Sequence, residues 1–272
     1  MNSSQLRNLL EKAYYIKIRF LRMYKTANAG HVGTSLSCAE LLTFISFGWA
    51  AQDDEIILSK GHAAALLYST LAERGVLTEQ DIDTFYKNGT TLAAHPPARG
   101  LRGIPFATGS LGHGLSLAAG MVLAHQLKNT PKHVFCVTSD GELDEGSIWE
   151  AAAFIIHHKL ANVIWLIDRN HLQGFGRTEN VLKLEPLSDR LRAMGFYVSE
   201  CDGHNFISLA NAKSELQQAS LPGVIICNTI KGRGWRSLEN TVDCHYLPMN
   251  DEQYELLRQT LTDELNKSIQ AL

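Results

Sequence analysis

Residues 133–172 read HVFCVTSDGELDEGSIWEAAAFIIHHKLANVIWLIDRNHL, and this stretch decides the fold. An apolar β-type run over 133–138 is broken by Ser139, Asp140 and Gly141. A helical pattern follows over 145–159, and a second β-type run, 162–168, stops just before Asn170. Strand, tight turn, helix and strand form a βαβ unit, and such units build a parallel sheet. The carboxyl ends of its strands form the binding edge of such a sheet. Asp140 and Asn170 stand just past two of those ends and are expected to face one crevice. The pair suits a hard divalent cation carrying a diphosphate, because Mg²⁺ is usually held by one or two carboxylates together with phosphate oxygens. Asp140 offers an anionic oxygen, Asn170 an amide oxygen, and a backbone carbonyl near Leu172 a third. Gly141 permits a close turn after the strand, and the next helix could aim its N-terminus at the crevice. Spacing alone leaves the plainer alternative open, since Asp, Gly and Asn at strand ends are also ordinary turn residues.

The rest of the chain gives this unit its setting. With 272 residues, 45% of them hydrophobic and 19% charged, the chain is long enough for one large α/β domain. No repeat, low-complexity segment or linker divides it, so 1–272 is expected to be a single domain. A net charge of −3 provides no footprint for nucleic acid. The longest apolar region, 41–51, is too short to span a bilayer, and the first residues lack a signal-peptide core. The five cysteines show no metal-type spacing. Cys38, Cys136 and Cys227 lie in apolar patterns and are expected to be reduced core residues. A cytoplasmic setting follows as the expectation.

Outward from the centre, Leu6, Leu9, Leu10, Ala13, Ile16 and Phe20 mark one face of a helix over 4–25. In NAGHVGTSLS, Gly30 and Gly33 frame His31, and a helix is expected from about Ser37. A short buried strand, 55–58, ends at Ser59-Lys60-Gly61-His62, where His62 is well placed to meet an anion at a strand-to-helix junction. Residues 78–87 read as a short helix with Thr78 as N-cap. A long Gly- and Pro-containing loop, carrying His95 and His113, leads to a helix over 112–128; loops of that length are often functional. Beyond the central unit, Gly174 and Gly176 make a turn too weakly patterned to indicate phosphate binding. A helix over 187–194, a strand over 196–201, a helix ending near Ala219 and a strand over 224–229 follow. Asp202 and Asn205 read as turn and cap. An irregular stretch carrying His245 precedes a last helix over 251–268.

Taken together, GHVGTSLS, SKGHAAALLY, AHPP, GSLGHGLSLAAG, SDGELDEGSIWEAA with its later Asn, and DCHYLP resemble the transketolase family, in family order and over nearly the whole chain. The resemblance implies a three-layer α/β sandwich with a mainly parallel central sheet, the diphosphate-binding fold of thiamine diphosphate enzymes. It implies the N-terminal subunit of a split transketolase, moving a two-carbon ketol unit from a ketose or ketose phosphate to an aldose. Asp140, Asn170 and the Leu172 carbonyl would bind Mg²⁺, or Ca²⁺ or Mn²⁺. His62, Gly109, Leu111, Asp140, Gly141 and Asn170 would lie against thiamine diphosphate. His31, His95 and His245 would face the reacting carbons, a task that suits imidazole. Glu145 matches a family carboxylate at the subunit interface. The Glu that activates the aminopyrimidine has no counterpart here and would come from a C-terminal partner subunit, in an α₂β₂ heterotetramer. Ser139, His113 and Asp144 depart from the usual Gly, Gln and Gln. Two other readings compete: the α subunit of a 2-oxo-acid dehydrogenase, which does not readily explain the four histidine segments, and a non-catalytic scaffold, for which Ser139 is the sole support.

Overall fold

The structure is a computed structural model and describes residues 1–97 and 101–272. The β-branched and aromatic runs form β1 (Glu55–Leu58), β2 (Val134–Ser139), β3 (Val163–Arg169), β4 (Tyr197–Asp202) and β5 (Gly223–Asn228). These five strands pair throughout in parallel, in the order β1-β2-β3-β5-β4. Every residue of β2 is buried, and all of β3 but Arg169. Such strands are covered on both faces.

Around them run α1 (Ser3–Ala27), α2 (Val32–Ser37), α3 (Ala39–Phe44), α4 (Ala64–Glu73), α5 (Glu79–Ile82) and α6 (Gly114–Leu127). Then come α7 (Gly146–His157), α8 (Thr178–Val181), α9 (Leu187–Met194), α10 (Phe206–Gln218), α11 (Asp243–Tyr246) and α12 (Asp251–Gln270). Because strand side chains alternate in direction, the sheet feeds two cores. Phe135, Val137, Ile164, Leu166 and Ile225 join the core under α1, α3, α4, α10 and α12. Cys136, Trp165, Ile167, Val224 and Ile226 join the core under α6, α7 and α9. The three-layer sandwich implied by the resemblance is present.

Chain direction and layer are coupled. The steps β2 to β3 and β3 to β4 cross the sheet in one sense, through α7 and α9 on the second face. The step β4 to β5 returns, and its helix α10 lies on the first face. One reversal of direction is matched by one change of face, as a constant right-handed crossover requires.

The helix ends follow local chemistry. Asn2 with Gln5, Thr78 with Asp81, and Asn250 with Gln253 form reciprocal capping boxes. Asn205 caps α10 by accepting from the Ile207 and Ser208 N–H groups. Two expectations need correction. The helix placed from about Ser37 begins at Val32, breaks at Cys38 and resumes as α3, ending in a π turn at Ile45–Trp49. The helix over 78–87 is regular only over Glu79–Ile82. The tight turn expected after β2 is present as a 3₁₀ turn, Gly141–Asp144, and α7 starts at Gly146. Of the long loop at 88–114, residues 98–100 lie outside those described.

Leu166, fully buried in a central strand, provides a check on the two-core reading. Leu166→Ala should lower unfolding free energy by about 2–5 kcal/mol, measured by urea denaturation.

Candidate functional site

The carboxyl ends of β1, β2, β3 and β5 open on one cleft of about 260 Å³, lined by His62, by Ser139 and Gly141, by Asn170 and Leu172, and by Lys231, respectively. The connection after α5 adds His95, Gly109 and Leu111; the turn before α2 adds His31, and α11 adds His245. Every cofactor-binding, metal-binding or catalytic residue expected from the sequence lines this cleft except Asp140.

The tips are tied together by a buried ion pair, Lys60 with Asp168, each fully inaccessible. Asp168 also accepts from Ser37 Oγ at 2.6 Å, from Asn170 Nδ2 at 3.2 Å and from Thr229 Oγ1. Burial would raise the Asp168 carboxyl, but the Lys60 ammonium and these donors hold it below the usual carboxylate range. Asn170 Oδ1 accepts from the Leu172 N–H at 3.1 Å, and the Leu172 carbonyl accepts from Lys231 Nζ at 3.0 Å. Burial, and then the charge of Lys60, push the Lys231 ammonium down to about 8.

Asp140 is 2% exposed and is not among the residues that line the cleft. Its carboxylate accepts from the His171 N–H at 2.6 Å, the Gly141 N–H at 2.9 Å and Thr178 Oγ1 at 3.2 Å. Burial and the neighbouring Asp168 push it up to about 6. A buried carboxylate so placed favours a cation beside it. Among the described residues no three His, Cys, Asp or Glu side chains gather as a metal site. The donors at hand are one carboxylate, one amide and one carbonyl, all hard oxygens. That set fits Mg²⁺ completed by phosphate oxygens, with one complication: Lys231 already occupies one of the Leu172 carbonyl's two acceptor positions.

Four imidazoles converge over these tips. Ring centroids lie 4.9 Å apart for His31 and His245, 5.4 Å for His62 and His245, 5.5 Å for His31 and His62, and 6.0 Å for His31 and His95. His31 sits at φ 72°, an uncommon left-handed conformation for a non-glycine residue. Its N–H donates to the His245 carbonyl at 2.9 Å. His62 Nε2 meets Thr34 Oγ1 at 3.1 Å. Burial pushes His31 down to about 4 and His245 to about 3, and holds His62 and His95 below the usual histidine value. The His245 Nδ1 is buried without a hydrogen-bond partner, which a bound group would correct.

The histidine loop is held by close packing. A Cβ on Gly61 would stand 2.5 Å from the Thr108 carbonyl carbon, and one on Gly109, at φ 133°, 2.7 Å from the His95 ring. Buried Glu142 accepts from Ser59 Oγ, from the Gly112 N–H at 2.9 Å and from the Ser139 N–H at 3.3 Å. Ser139 thus contributes its backbone to this anchor and lines the cleft. Asp144 accepts from Gln173 Nε2 at 2.6 Å. His113 and Glu145 are exposed. Lys60, Asp168, Lys231 and Glu142 were missed in the sequence. Asp168 had left a signal: a charge inside an otherwise apolar strand must be paired.

All five cysteines are free and buried. Among the described residues, no helix is long and apolar enough to cross a membrane.

The family model for the transketolase thiamine diphosphate-binding domain matches residues 11–270. The chain is 37% identical over 264 residues to the 6-deoxy-6-sulfo-D-fructose transketolase subunit of Clostridium sp. (strain MSTE9), covering 93% of this chain and 96% of that protein. It is 34% identical over 266 residues to an apulose-4-phosphate transketolase subunit of Actinobacillus succinogenes, covering 94% and 96%. The crystal structure of transketolase from Campylobacter jejuni superposes with a TM-score of 0.86 at 28% identity, over 96% of this chain but 43% of the other.

Two measurements test this geometry. Lys60→Met strands the Asp168 carboxylate and should cost about 3–5 kcal/mol of unfolding free energy; adding Asp168→Asn should recover part of that loss. The depressed histidines bind fewer protons folded than unfolded. Between about pH 6.5, the ordinary histidine value, and about pH 4, the value for His31, the histidines' contribution to unfolding free energy should therefore fall as pH falls, while Asp140, pushed up to about 6, contributes in the opposite sense. His245→Asn should flatten that slope in thermal scans.

Proposed function

The chain belongs to the transketolase family, and from that premise we propose that it is the N-terminal subunit of a two-chain transketolase. In this reading it transfers a two-carbon ketol unit from a ketose or ketose phosphate to an aldose, and acts only with its C-terminal partner. The whole of 1–272 serves as one thiamine diphosphate- and metal-binding domain. The observation that carries the proposal is the convergence of His31, His62, His95 and His245 on the tips that bear Gly141, Asn170 and Leu172.

Asp140, Asn170 and the Leu172 carbonyl would hold Mg²⁺, or Ca²⁺ or Mn²⁺ in its place. His62, Gly141 and Lys231 would meet the diphosphate, and Gly109 and Leu111 the rings. When bound, thiamine diphosphate supplies the nucleophilic carbon and the electron sink that carbon–carbon cleavage beside a carbonyl requires. The chain's own work is orientation and proton handling. His31, His95 and His245, kept neutral by burial, can each donate one hydrogen bond and accept another. They would hold substrate hydroxyl and carbonyl groups and move protons between them. Lys231, placed above the Leu172 carbonyl, adds positive charge where the diphosphate would lie.

A partner is supported by length and by surface. The solved relative is more than twice as long as the matched region, while the subunit-type relatives are covered almost completely. Helix α6 is apolar on nearly all sides, yet Ser116, Gly120 and Leu127 are exposed, as are Ala153 and Phe154 of α7. Apolar helix faces of this kind suit burial against another protein chain, here in an α₂β₂ assembly. Free buried cysteines accord with a reducing cytoplasmic setting.

The test is reconstitution. The isolated chain with thiamine diphosphate and Mg²⁺ should show no ketol transfer, and addition of the C-terminal subunit should restore it. His245→Ala should then lower kcat/KM by about 10²–10⁴-fold. Full activity of the isolated chain, or turnover of 2-oxo acids in preference to ketose phosphates, would refute the assignment.

A further inference from the structure

A second buried polar chain runs from the far side of the first core to the residue before Lys231. Lys17 of α1 pairs with Glu40 of α3, and Glu40 Oε2 meets His204 Nδ1 at 3.1 Å. On the other side of the ring, His204 Nε2 accepts from the Ile230 N–H at 2.9 Å. The three side chains are only 9–10% exposed. Since Nε2 accepts, the ring's N–H must be at Nδ1, donating to Glu40. Burial alone would raise the Glu40 carboxyl, but Lys17 and His204 hold it well below the usual carboxylate range.

The turn this chain reaches is anchored to a different element at almost every step. The Thr229 N–H donates to the Arg169 carbonyl at 3.0 Å, and the Gly232 N–H to the Gly33 carbonyl at 2.9 Å. Between them, the Ile230 N–H finds a side chain in place of a backbone carbonyl. Ile230 lies beyond the end of β5, so no sheet partner takes that N–H. Lys231 comes next, and its ammonium lies 3.0 Å from the Leu172 carbonyl.

We propose that His204 is a positioning residue for Lys231: backed by Glu40 and Lys17, it fixes the 229–232 turn so that the Lys231 ammonium is held at the Leu172 carbonyl. The effect on thiamine diphosphate rests on the function proposed above; the effect on the turn does not. His204 does not line the cleft, and its ring hydrogen-bonds Glu40 and the Ile230 N–H, so its influence passes through the backbone.

Two substitutions separate positioning from general support. His204→Leu removes both hydrogen bonds. In His204→Gln, the amide can accept from Ile230 with Oε1 and donate to Glu40 with Nε2. The first readout is amide hydrogen exchange on the full chain. His204→Leu should speed exchange at Ile230–Gly232 by about ten-fold over the change at other slow amides, as one lost hydrogen bond implies, while His204→Gln should stay within about two-fold of wild type. The second readout is calorimetric affinity for thiamine diphosphate with Mg²⁺ on the paired subunits. It should weaken about five- to ten-fold in His204→Leu and recover in His204→Gln. If His204→Leu fails to fold, Glu40→Gln is read in its place and should speed exchange at the same amides by a smaller factor. Unchanged exchange at 230–232, equal losses in both His204 variants, or acceleration spread evenly over the chain would overturn the inference. Should the wild-type pair bind no thiamine diphosphate, the proposed function fails, and the exchange result still decides the role of His204.

Discussion

The structure depends on one buried ion pair, Lys60 with Asp168. Asp168 lies inside the apolar strand β3, fully inaccessible. Desolvating an unpaired carboxylate there would cost several kcal/mol. The compensation comes from four places: Lys60 past the tip of β1, Ser37 at the end of α2, Thr229 past the tip of β5, and Asn170 past the tip of β3 itself. Each donor is therefore obliged to stay where the carboxylate is. A single charge locks three strand ends and one helix into a fixed arrangement, and that arrangement is the floor of the cleft. The same charge decides the orientation of Asn170. A carboxylate oxygen only accepts, so the group facing Asp168 must be the amide nitrogen, and Oδ1 is turned the other way. Whichever cation comes to this edge meets an oxygen already aimed.

On that floor stand histidines whose environment resists protonation. Burial is the first cause for each, and for His62 and His245 the positive charges of Lys60 and Lys231 add to it. The lysine charges at the tips thus add to burial in keeping the imidazoles above them neutral. Neutral rings keep an acceptor nitrogen, which protonated rings lose. The left-handed backbone of His31, held by its N–H on the His245 carbonyl, shows the local strain accepted to bring two of the rings together.

Much of this was legible in the sequence, and the unread remainder has a physical cause. The βαβ unit announced itself because strand and helix periods alternate across 133–172, and a parallel sheet follows from them without tertiary knowledge. The caps at Thr78 and Asn205 were legible for the same reason: capping is a bond between near neighbours. The break at Cys38 and the early start at Val32 were not. The His31 turn is held by the carbonyls of a segment more than two hundred residues away, and no local pattern encodes that. Lys60 stood in plain view beside His62, yet its pairing with Asp168 spans 108 residues. The α7 start expected near 145 holds at Gly146; what was not legible is that Gly141–Asp144 tightens into a 3₁₀ turn, which lets Glu142 reach back to Ser59, Gly112 and Ser139.

The difference between floor and rim suggests how labour divides within the proposed enzyme. The floor is held by buried charges with several partners each. The rim is held by isolated bonds such as that from the Tyr246 hydroxyl to the Gly174 carbonyl, 2.9 Å, and it carries Phe175 at 86% exposure. Among the described residues lining the cleft, Lys231 is the one cation, and its ammonium is engaged deep at the Leu172 carbonyl. Among the described residues, the rim beside it is aromatic, with Phe175 and Tyr246. In the proposed reading, anchoring of the coenzyme belongs to this chain, and the partner subunit that covers the rim completes the substrate site. Such a division would let relatives named for 6-deoxy-6-sulfo-D-fructose and for apulose-4-phosphate differ in substrate without altering the interaction on which the floor depends.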